Sequence, residues 1–151
     1  MEGFENIKDL YREIILDHYR NPRNSTVLAD PDIEASEYNP FCGDRVSIQL
    51  KLRSDHIDDV SSQSEGCSIC QASASLLSEL LRGKTLQNTE ALAKSFRELM
   101  QGENLPEEIM AELGDTKALS GVRKYPIRIK CALLAWVALE EGLRRFIAKM
   151  G

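Results

Sequence analysis

The chain has 151 residues, of which 42% are apolar and 28% charged, and 24 acidic against 19 basic side chains give a formal net charge of −5. This length suits a single domain spanning 1–151, and the acidic balance argues against non-specific nucleic-acid binding, which depends on neutralising phosphates. Because the sequence has neither a run of about 18 uncharged apolar residues nor an apolar signal core in its mixed-charge N-terminus, we expect a cytoplasmic protein without a membrane span.

The first half of the chain predicts one helix followed by strands. Apolar residues recur at helical spacing over 4–20, and an Asn-Pro pair then ends the helix, because a residue before proline avoids the helical region. The proline-rich segment 22–41 is typical of a loop with room for one short strand. Residues 45–52 alternate apolar and polar side chains, as a half-buried strand does, and 56–64 are predicted to form its hairpin partner.

The second half of the chain predicts helices. The predicted segments are, in chain order, a helix over 67–82, a helix over about 86–101, a short helix from Pro106 to Gly114, a loop over 115–125 and a long helix from Pro126. Gly83 follows the first helix as a C′ glycine and Thr85 caps the second. The first half of the last helix, 132–139, is apolar almost all round and should be deeply buried. This order predicts an α+β fold, with about three antiparallel strands and helices packed mainly on one face.

The four cysteines lie in three separate motifs: Cys42 in NPFCGD, Cys67 and Cys70 in GCSIC, and Cys131 in RIKC. In a reducing compartment they are metal ligands or reactive thiols rather than disulfides, and a single C-x-x-C pair argues against a zinc ribbon. Cys42 lies in a turn whose glycine can bring its thiolate and the Asp44 carboxylate onto one ion, a half-site for zinc or ferrous iron. The alternative is a simple turn with a buried thiol.

The other two cysteine motifs each lie at the start of a predicted helix. At Cys67 the helix dipole favours the thiolate, although a small buried side chain at a strand–helix junction is the alternative. Four cations flank Cys131: Arg123, Lys124, Arg128 and Lys130. They would lower the pKa of a nearby thiol and attract anionic sulfur, unless they are simply solvated charges. We expect the turn and the two helix starts to meet at one edge of the domain.

These three motifs, together with LYREIILDHYRNPRN near the N-terminus, resemble the U-type iron–sulfur cluster assembly proteins, the IscU/SufU or NifU N-terminal-like family. The resemblance spans nearly the whole chain and implies a small α+β fold in which Cys42, Asp44, Cys67 and Cys131 surround one metal or cluster. It also implies a bound zinc, with Fe²⁺ or a transient iron–sulfur cluster as the alternative. Lys130 replaces the histidine of the IscU branch, and the helical LPEEIMAELG segment matches an extra segment of the SufU branch, so the SufU branch is favoured.

The resemblance implies sulfur delivery by a cysteine desulfurase, and the chemistry of the residues suggests a role for each of them. A pyridoxal-phosphate-dependent cysteine desulfurase would deliver persulfide sulfur to Cys42, which lies on the most mobile of the three motifs, for transfer to a scaffold or to apo-proteins. Asp44 would supply lability and orientation, because a carboxylate is a harder and weaker partner than thiolate for soft metal centres. Arg128 and Lys130 would dock the partner or stabilise anionic sulfur. At most, the chain is then a zinc-dependent sulfurtransferase.

Two other functions are compatible with the same residues. The chain could be a scaffold on which an iron–sulfur cluster is assembled and transferred, or, more remotely, a C-x-x-C thiol oxidoreductase that uses Cys67 and Cys70. Cys70 stands where the family usually has serine. We interpret it as a spectator, and the alternatives are a disulfide partner for Cys67 and an additional metal ligand.

Overall fold

A computed structural model describes residues 7–150 and shows, within that range, five α-helices, one 3₁₀ helix and a three-stranded antiparallel sheet. The elements are α1 (Ile7–Arg20), β1 (Ile33–Asn39), β2 (Asp44–Arg53), β3 (His56–Glu65), α2 (Ser68–Leu81), α3 (Leu86–Met100), α4 (Glu107–Leu113), the 3₁₀ helix (Gly114–Val122) and α5 (Pro126–Met150). The predicted α+β fold is confirmed. The beginning of the first predicted helix, 4–6, lies outside the described residues.

The sheet has the order β1-β2-β3, and its alternating sequence leaves one face apolar. Val46, Ile48 and Leu50 point from β2 into the core, and α5 and α2 cover this face by packing on β1 and β3 respectively. The close approach of α5 to β1 depends on Gly142, because a Cβ there would lie 3.0 Å from Ile33 Cγ2. The helices are therefore packed on the apolar face, as the sequence predicts.

The predicted helix boundaries hold to within about one residue around α2 and α3. Gly83 has a φ of +85°, which suits the C′ glycine predicted after α2. Thr85 Oγ1 accepts a hydrogen bond from the Asn88 N–H at 3.0 Å, so the predicted cap of α3 is present. Between α3 and α5, the rings of Phe96 and Trp136 stack with centroids 4.1 Å apart in an otherwise mainly aliphatic core.

The segment after α4 differs from the sequence prediction. Residues 115–125 were expected to form a loop, but Gly114–Val122 is a 3₁₀ helix. Its buried side chains include Thr116, Leu119 and Val122, three residues apart, which is the period of a 3₁₀ helix. Two glycines, Gly114 and Gly121, lower the intrinsic helix propensity of this segment, and its buried side chains show that packing against its neighbours contributes to its conformation.

The long helix α5 follows its prediction with one exception. Its first half is buried as expected, but Val137 is 42% exposed. No helix within 7–150 is long and apolar enough to cross a membrane.

Candidate metal centre

The register of the sheet places two of the cysteine motifs side by side. Asp44 is the first residue of β2, and Arg45 pairs with Glu65, the last residue of β3. Because the chain runs directly from β3 into α2, Cys67 must lie beside the start of β2. The β1–β2 loop carries Cys42 to the same edge.

The fourth predicted ligand comes from the far end of the sequence. Cys131 lies in the second turn of α5, and it reaches the same edge because α5 packs on β1 and β2. The three motifs therefore meet at one edge of the fold, as the sequence analysis expects.

The ligand atoms of these residues gather closely. A carboxylate oxygen of Asp44 and the Sγ atoms of Cys42 and Cys131 all lie within 4.8 Å of one another. Cys67 lies beside this group, with its Sγ 3.5 Å from Asp44 Oδ2 and a further hydrogen-bonding contact to Cys131. The structure thus brings together all four residues that the sequence predicts.

This donor set suits zinc. Tetrahedral zinc has Zn–S bonds of about 2.3 Å and Zn–O bonds of about 2.0 Å, which place ligand sulfur and oxygen atoms about 3.5 Å apart. The Cys67 Sγ to Asp44 Oδ2 distance of 3.5 Å has this value. Thiolates and carboxylates are both ligand types that zinc binds in four-coordinate sites.

The two oxygens of Asp44 have different partners. The side chain is buried, and Oδ1 accepts the backbone N–H of Cys67 at 2.9 Å, while Oδ2 faces the thiols. Burial by itself would raise the pKa of this carboxyl, but the N–H of Cys67 and hydrogen bonds from Cys42, Cys131 and Cys67 hold it below its ordinary value. Asp44 is therefore a fixed, ionised carboxylate with one oxygen available for a metal.

Gly66 has a positioning role that the sequence analysis missed. Its φ is +135°, and a Cβ at this position would lie 2.0 Å from Asp44 Oδ1 and 2.7 Å from Asp44 Cγ. Only glycine lets the buried carboxylate lie against this stretch of backbone. The available signal was its position directly before Cys67. Gly43, which the analysis did consider, has a φ of +77°, as the expected tight turn requires.

Cys70 lies in the first turn of α2, next to the centre. Its side chain is fully buried, and its N–H donates to the Sγ of Cys67 at 3.4 Å. Burial, with the charge of Asp44 nearby, raises the pKa of the Cys70 thiol to about 12. Cys70 is not a member of the group of ligand atoms that lie within 4.8 Å of one another.

The expectation that cations lower the pKa of a thiol near them is wrong for Cys131. Burial, followed by its hydrogen bonds with Asp44 and Cys67, raises the pKa of this thiol. The physical reason is that the Cys131 side chain is buried whereas Arg128 and Lys130 are exposed to solvent.

The four predicted cations do not act as one group. Arg123 Nη1 donates to the carbonyl oxygen of Leu99 at 3.2 Å, at the end of α3. Lys130, in contrast, lies with its Nζ 5.7 Å from the centre of the Phe41 ring, and Phe41 directly precedes Cys42. Of these cations, Lys130 is thus the one with an observed contact to the Cys42 loop.

Exposed apolar side chains lie near the cysteine ligands in the sequence. Cys42 is exposed, and the neighbouring Phe41 ring is 91% exposed. Ile127, on the first turn of α5, is 73% exposed. Large apolar side chains in such positions are typical of surfaces that contact another protein.

Comparison with known proteins gives matches along nearly the whole chain. Residues 10–132 match the NifU-like N terminal domain family. The zinc-dependent sulfurtransferase SufU of Bacillus subtilis is 45% identical over 140 residues, covering 93% of this chain and 93% of its own. The iron–sulfur cluster assembly scaffold protein IscU of Streptococcus pyogenes is 38% identical over 92% of this chain and 86% of its own.

Solved structures share the fold as well. The crystal structure of a nitrogen-fixing NifU-like protein (N-terminal) from Brucella abortus superposes with a TM-score of 0.82. It is 27% identical in sequence, and the alignment covers 95% of this chain and 98% of that one.

Proposed function

The chain belongs to the NifU-like N-terminal domain family, the IscU/SufU family that its motifs resemble, and we propose that it accepts persulfide sulfur from a cysteine desulfurase at a zinc site. The ligands of this site are Cys42, Asp44, Cys67 and Cys131. The observation that carries the proposal is that Asp44, Cys42 and Cys131 place ligand atoms within 4.8 Å of one another, and that the Cys67 Sγ lies 3.5 Å from the same buried carboxylate. The 45% identical relative that is named a zinc-dependent sulfurtransferase supports it.

Cys42 is the proposed sulfur acceptor. It is exposed and lies on the loop between β1 and β2, whereas Cys131 is 1% exposed inside α5. A loop residue can move towards a partner without unfolding a helix, so Cys42 is the thiol that a large donor can reach. When bound, zinc would keep its sulfur ligands in the thiolate form at neutral pH.

The proposed transfer conserves atoms and electrons. The Cys42 thiolate attacks the terminal sulfur of the donor's cysteine persulfide, and a new S–S bond forms at Cys42. The S–S bond of the donor breaks, and the donor's cysteine leaves as a thiolate. The persulfide now on Cys42 can be passed by the same exchange to a downstream scaffold or apo-protein.

Asp44 has the positioning role in this proposal. Its Oδ1 stays on the Cys67 N–H, so the carboxylate keeps its orientation when a thiol leaves the site. A carboxylate also binds a soft, sulfur-rich centre less strongly than a fourth thiolate would. The mixed ligand set is therefore easier to open than four thiolates, which suits a site that must release Cys42.

The surroundings of Cys42 suit a protein donor. Phe41 and Ile127 offer exposed apolar contacts. Lys130, beside Phe41, places a positive charge near Cys42 that would stabilise an incoming persulfide anion, and the exposed Arg128 would add to it or dock the desulfurase. A reducing compartment such as the cytoplasm is required, because the proposed ligands must remain free thiols.

A scaffold for assembling an iron–sulfur cluster is the second candidate, favoured by the 38% identical relative that is named a scaffold protein IscU. Lys130 argues for the first candidate, since a protonated lysine cannot ligate iron as a histidine can. Anaerobic purification with metal and sulfide analysis separates them. Zinc without acid-labile sulfide supports the sulfur acceptor, and iron with acid-labile sulfide supports the scaffold.

The test of the proposed transfer uses a purified cysteine desulfurase and four proteins: the native chain, Cys42→Ser, Cys131→Ser and Asp44→Ala. Zinc content, desulfurase stimulation and persulfide labelling are measured on each. We expect Cys42→Ser to stay folded but take up no sulfur, and Asp44→Ala to hold zinc more weakly. Normal persulfide uptake by Cys42→Ser, with loss of uptake in Cys131→Ser, would show that the acceptor is assigned to the wrong thiol.

A further inference from the structure

Cys70 is a thiol beside the metal centre that the proposed sulfur transfer does not use. We propose that Cys70 is the resolving thiol for Cys67: when a hydroperoxide oxidises Cys67, the two close a reversible disulfide that withdraws Cys67 from the centre. The formation of this disulfide depends only on the two cysteines. Its effect on zinc rests on the function proposed above.

The placement of the two residues on α2 carries the first step. Cys67 is the N-cap, with extended backbone at φ −72° and ψ 164°, and Cys70 is the third residue of the helix. The Cys67 Sγ already accepts the Cys70 N–H at 3.4 Å, so it lies over the backbone of its future partner. A C-x-x-C pair at a helix start is the arrangement in which thiol oxidoreductases close and open a disulfide.

The two thiols differ in their access to an oxidant. Cys67 is partly exposed, whereas Cys70 is 0% exposed and belongs to the hydrophobic core. A dissolved hydroperoxide therefore meets Cys67 first. Cys70 is protected from the solvent and is left to react with its neighbour.

The chemistry balances with one molecule of hydrogen peroxide. The Cys67 thiolate attacks one peroxide oxygen, the O–O bond breaks, and Cys67 sulfenic acid and, after protonation, water are formed. The Cys70 thiol then attacks the sulfenic sulfur, the S–O bond breaks, and the hydroxide that leaves takes the thiol proton as a second water. Both sulfurs are oxidised by one electron each, and the peroxide is reduced by two.

Cys70 is a better partner for Cys67 than the other thiols are. Cys42 and Cys131 belong to the group of ligand atoms gathered around Asp44, and Cys131 also makes a hydrogen-bonding contact with Cys67, but both residues lie on elements other than α2. A disulfide from Cys67 to Cys42 would require movement of a separate loop, and a disulfide from Cys67 to Cys131 would require movement of α5. Joining it to Cys70 involves a single helical turn.

The disulfide would protect the centre. Sulfenic acid that is not captured is oxidised further to sulfinic acid, which thiol reductants do not reverse, whereas a disulfide is reversible.

The sequence makes the test simple to read. Trypsin cleaves after Arg53 and Arg82 with no lysine or arginine between them, so Cys67 and Cys70 share one tryptic peptide, whereas Cys131 follows Lys130 in another. After treatment with hydrogen peroxide and blocking of free thiols, the proposed disulfide appears as a 54–82 peptide two hydrogens lighter than its dithiol form. A bond from Cys67 to Cys131 would instead join two peptides.

The experiment compares the native chain with Cys70→Ser, and with Cys70→Ala in case the serine variant folds poorly. We expect both variants to bind zinc like the native chain before oxidation. After peroxide and then dithiothreitol, the native chain should regain its titratable thiols and zinc binding, and the variants should keep a sulfinic acid at Cys67 and lose zinc binding permanently. If the native chain did not bind zinc before oxidation, the result would count against the proposed function but not against the disulfide.

Two results would overturn the inference. One is a peroxide-treated native chain whose Cys67 is joined to Cys42 or Cys131 rather than to Cys70. The other is full recovery of Cys67 in Cys70→Ser and Cys70→Ala after reduction, which would show that Cys70 protects nothing.

Discussion

Replacing Gly66 with alanine tests whether the fit of Asp44 against the backbone holds the centre together. The new Cβ would lie 2.0 Å from Asp44 Oδ1, against an ordinary contact distance of 3.4 Å or more, so the carboxylate has to move. Moving it breaks the hydrogen bond from the Cys67 N–H at 2.9 Å. Such a bond to a charged group is worth about 1.5–3 kcal/mol.

Backbone strain adds to this loss. A residue with a side chain in a left-handed conformation costs about 1–2 kcal/mol relative to glycine, and Gly66 has a φ of +135°. Gly83→Ala is the matched control, because Gly83 has a φ of +85° but open space around its missing Cβ. We therefore expect Gly66→Ala to lose about 2.5–5 kcal/mol of unfolding free energy and Gly83→Ala about 1–2 kcal/mol.

The assay is urea unfolding of the two variants and the native chain in EDTA, followed by zinc competition with a chromogenic chelator. Gly66→Ala should bind zinc more weakly than the native chain, and Gly83→Ala should bind it equally well. Equal losses of stability in the two variants, together with unchanged zinc affinity in Gly66→Ala, would refute the reasoning.

Two further predictions concern the core. Burial, helped by the nearby Arg23, lowers the pKa of His18, whose Nδ1 is hydrogen-bonded to Ser75 Oγ at 2.8 Å. As the pH falls, His18 is therefore protonated in the unfolded chain before it is protonated in the folded chain. The unfolding free energy should fall as the pH drops below about 6.5 and continue to fall through the lower pKa of the folded state. Urea titrations between pH 7.5 and 5 should show a shallower decline in His18→Gln, and an unchanged slope would contradict this assignment. Phe96→Ala should lower the unfolding free energy by about 3–5 kcal/mol, because it removes the ring that stacks on Trp136, the only tryptophan, and leaves a cavity. Unfolding followed by tryptophan fluorescence measures this loss, and Phe96→Leu should lose less; equal losses would argue against a packing origin.

Local sequence patterns predicted the secondary structure correctly wherever a short stretch of chain determines its own conformation. The alternation of 45–52 predicts β2, and Thr85 predicts the start of α3, because side-chain periodicity and capping act over a few residues. The same reasoning failed at Gly114–Val122, where a segment with two glycines adopts a 3₁₀ helix whose buried side chains include Thr116, Leu119 and Val122. It also failed for the pKa of Cys131, since charges near in sequence point to solvent while the thiol is buried.

The four proposed ligands could be named from the sequence because their residue types and motif order carry the family's signature. What the tertiary structure alone decided is how they are held. Asp44 Oδ1 accepts the Cys67 N–H, the Asp44 carboxylate lies against Gly66, and the buried Cys70 donates its N–H to the Cys67 Sγ. These contacts depend on the pairing of β2 with β3 and on the packing of α5, which join residues far apart in the chain. Residue types are local and can be read directly from the sequence. The 2.9 Å distance between Asp44 Oδ1 and the Cys67 nitrogen, in contrast, depends on the register in which β2 pairs with β3.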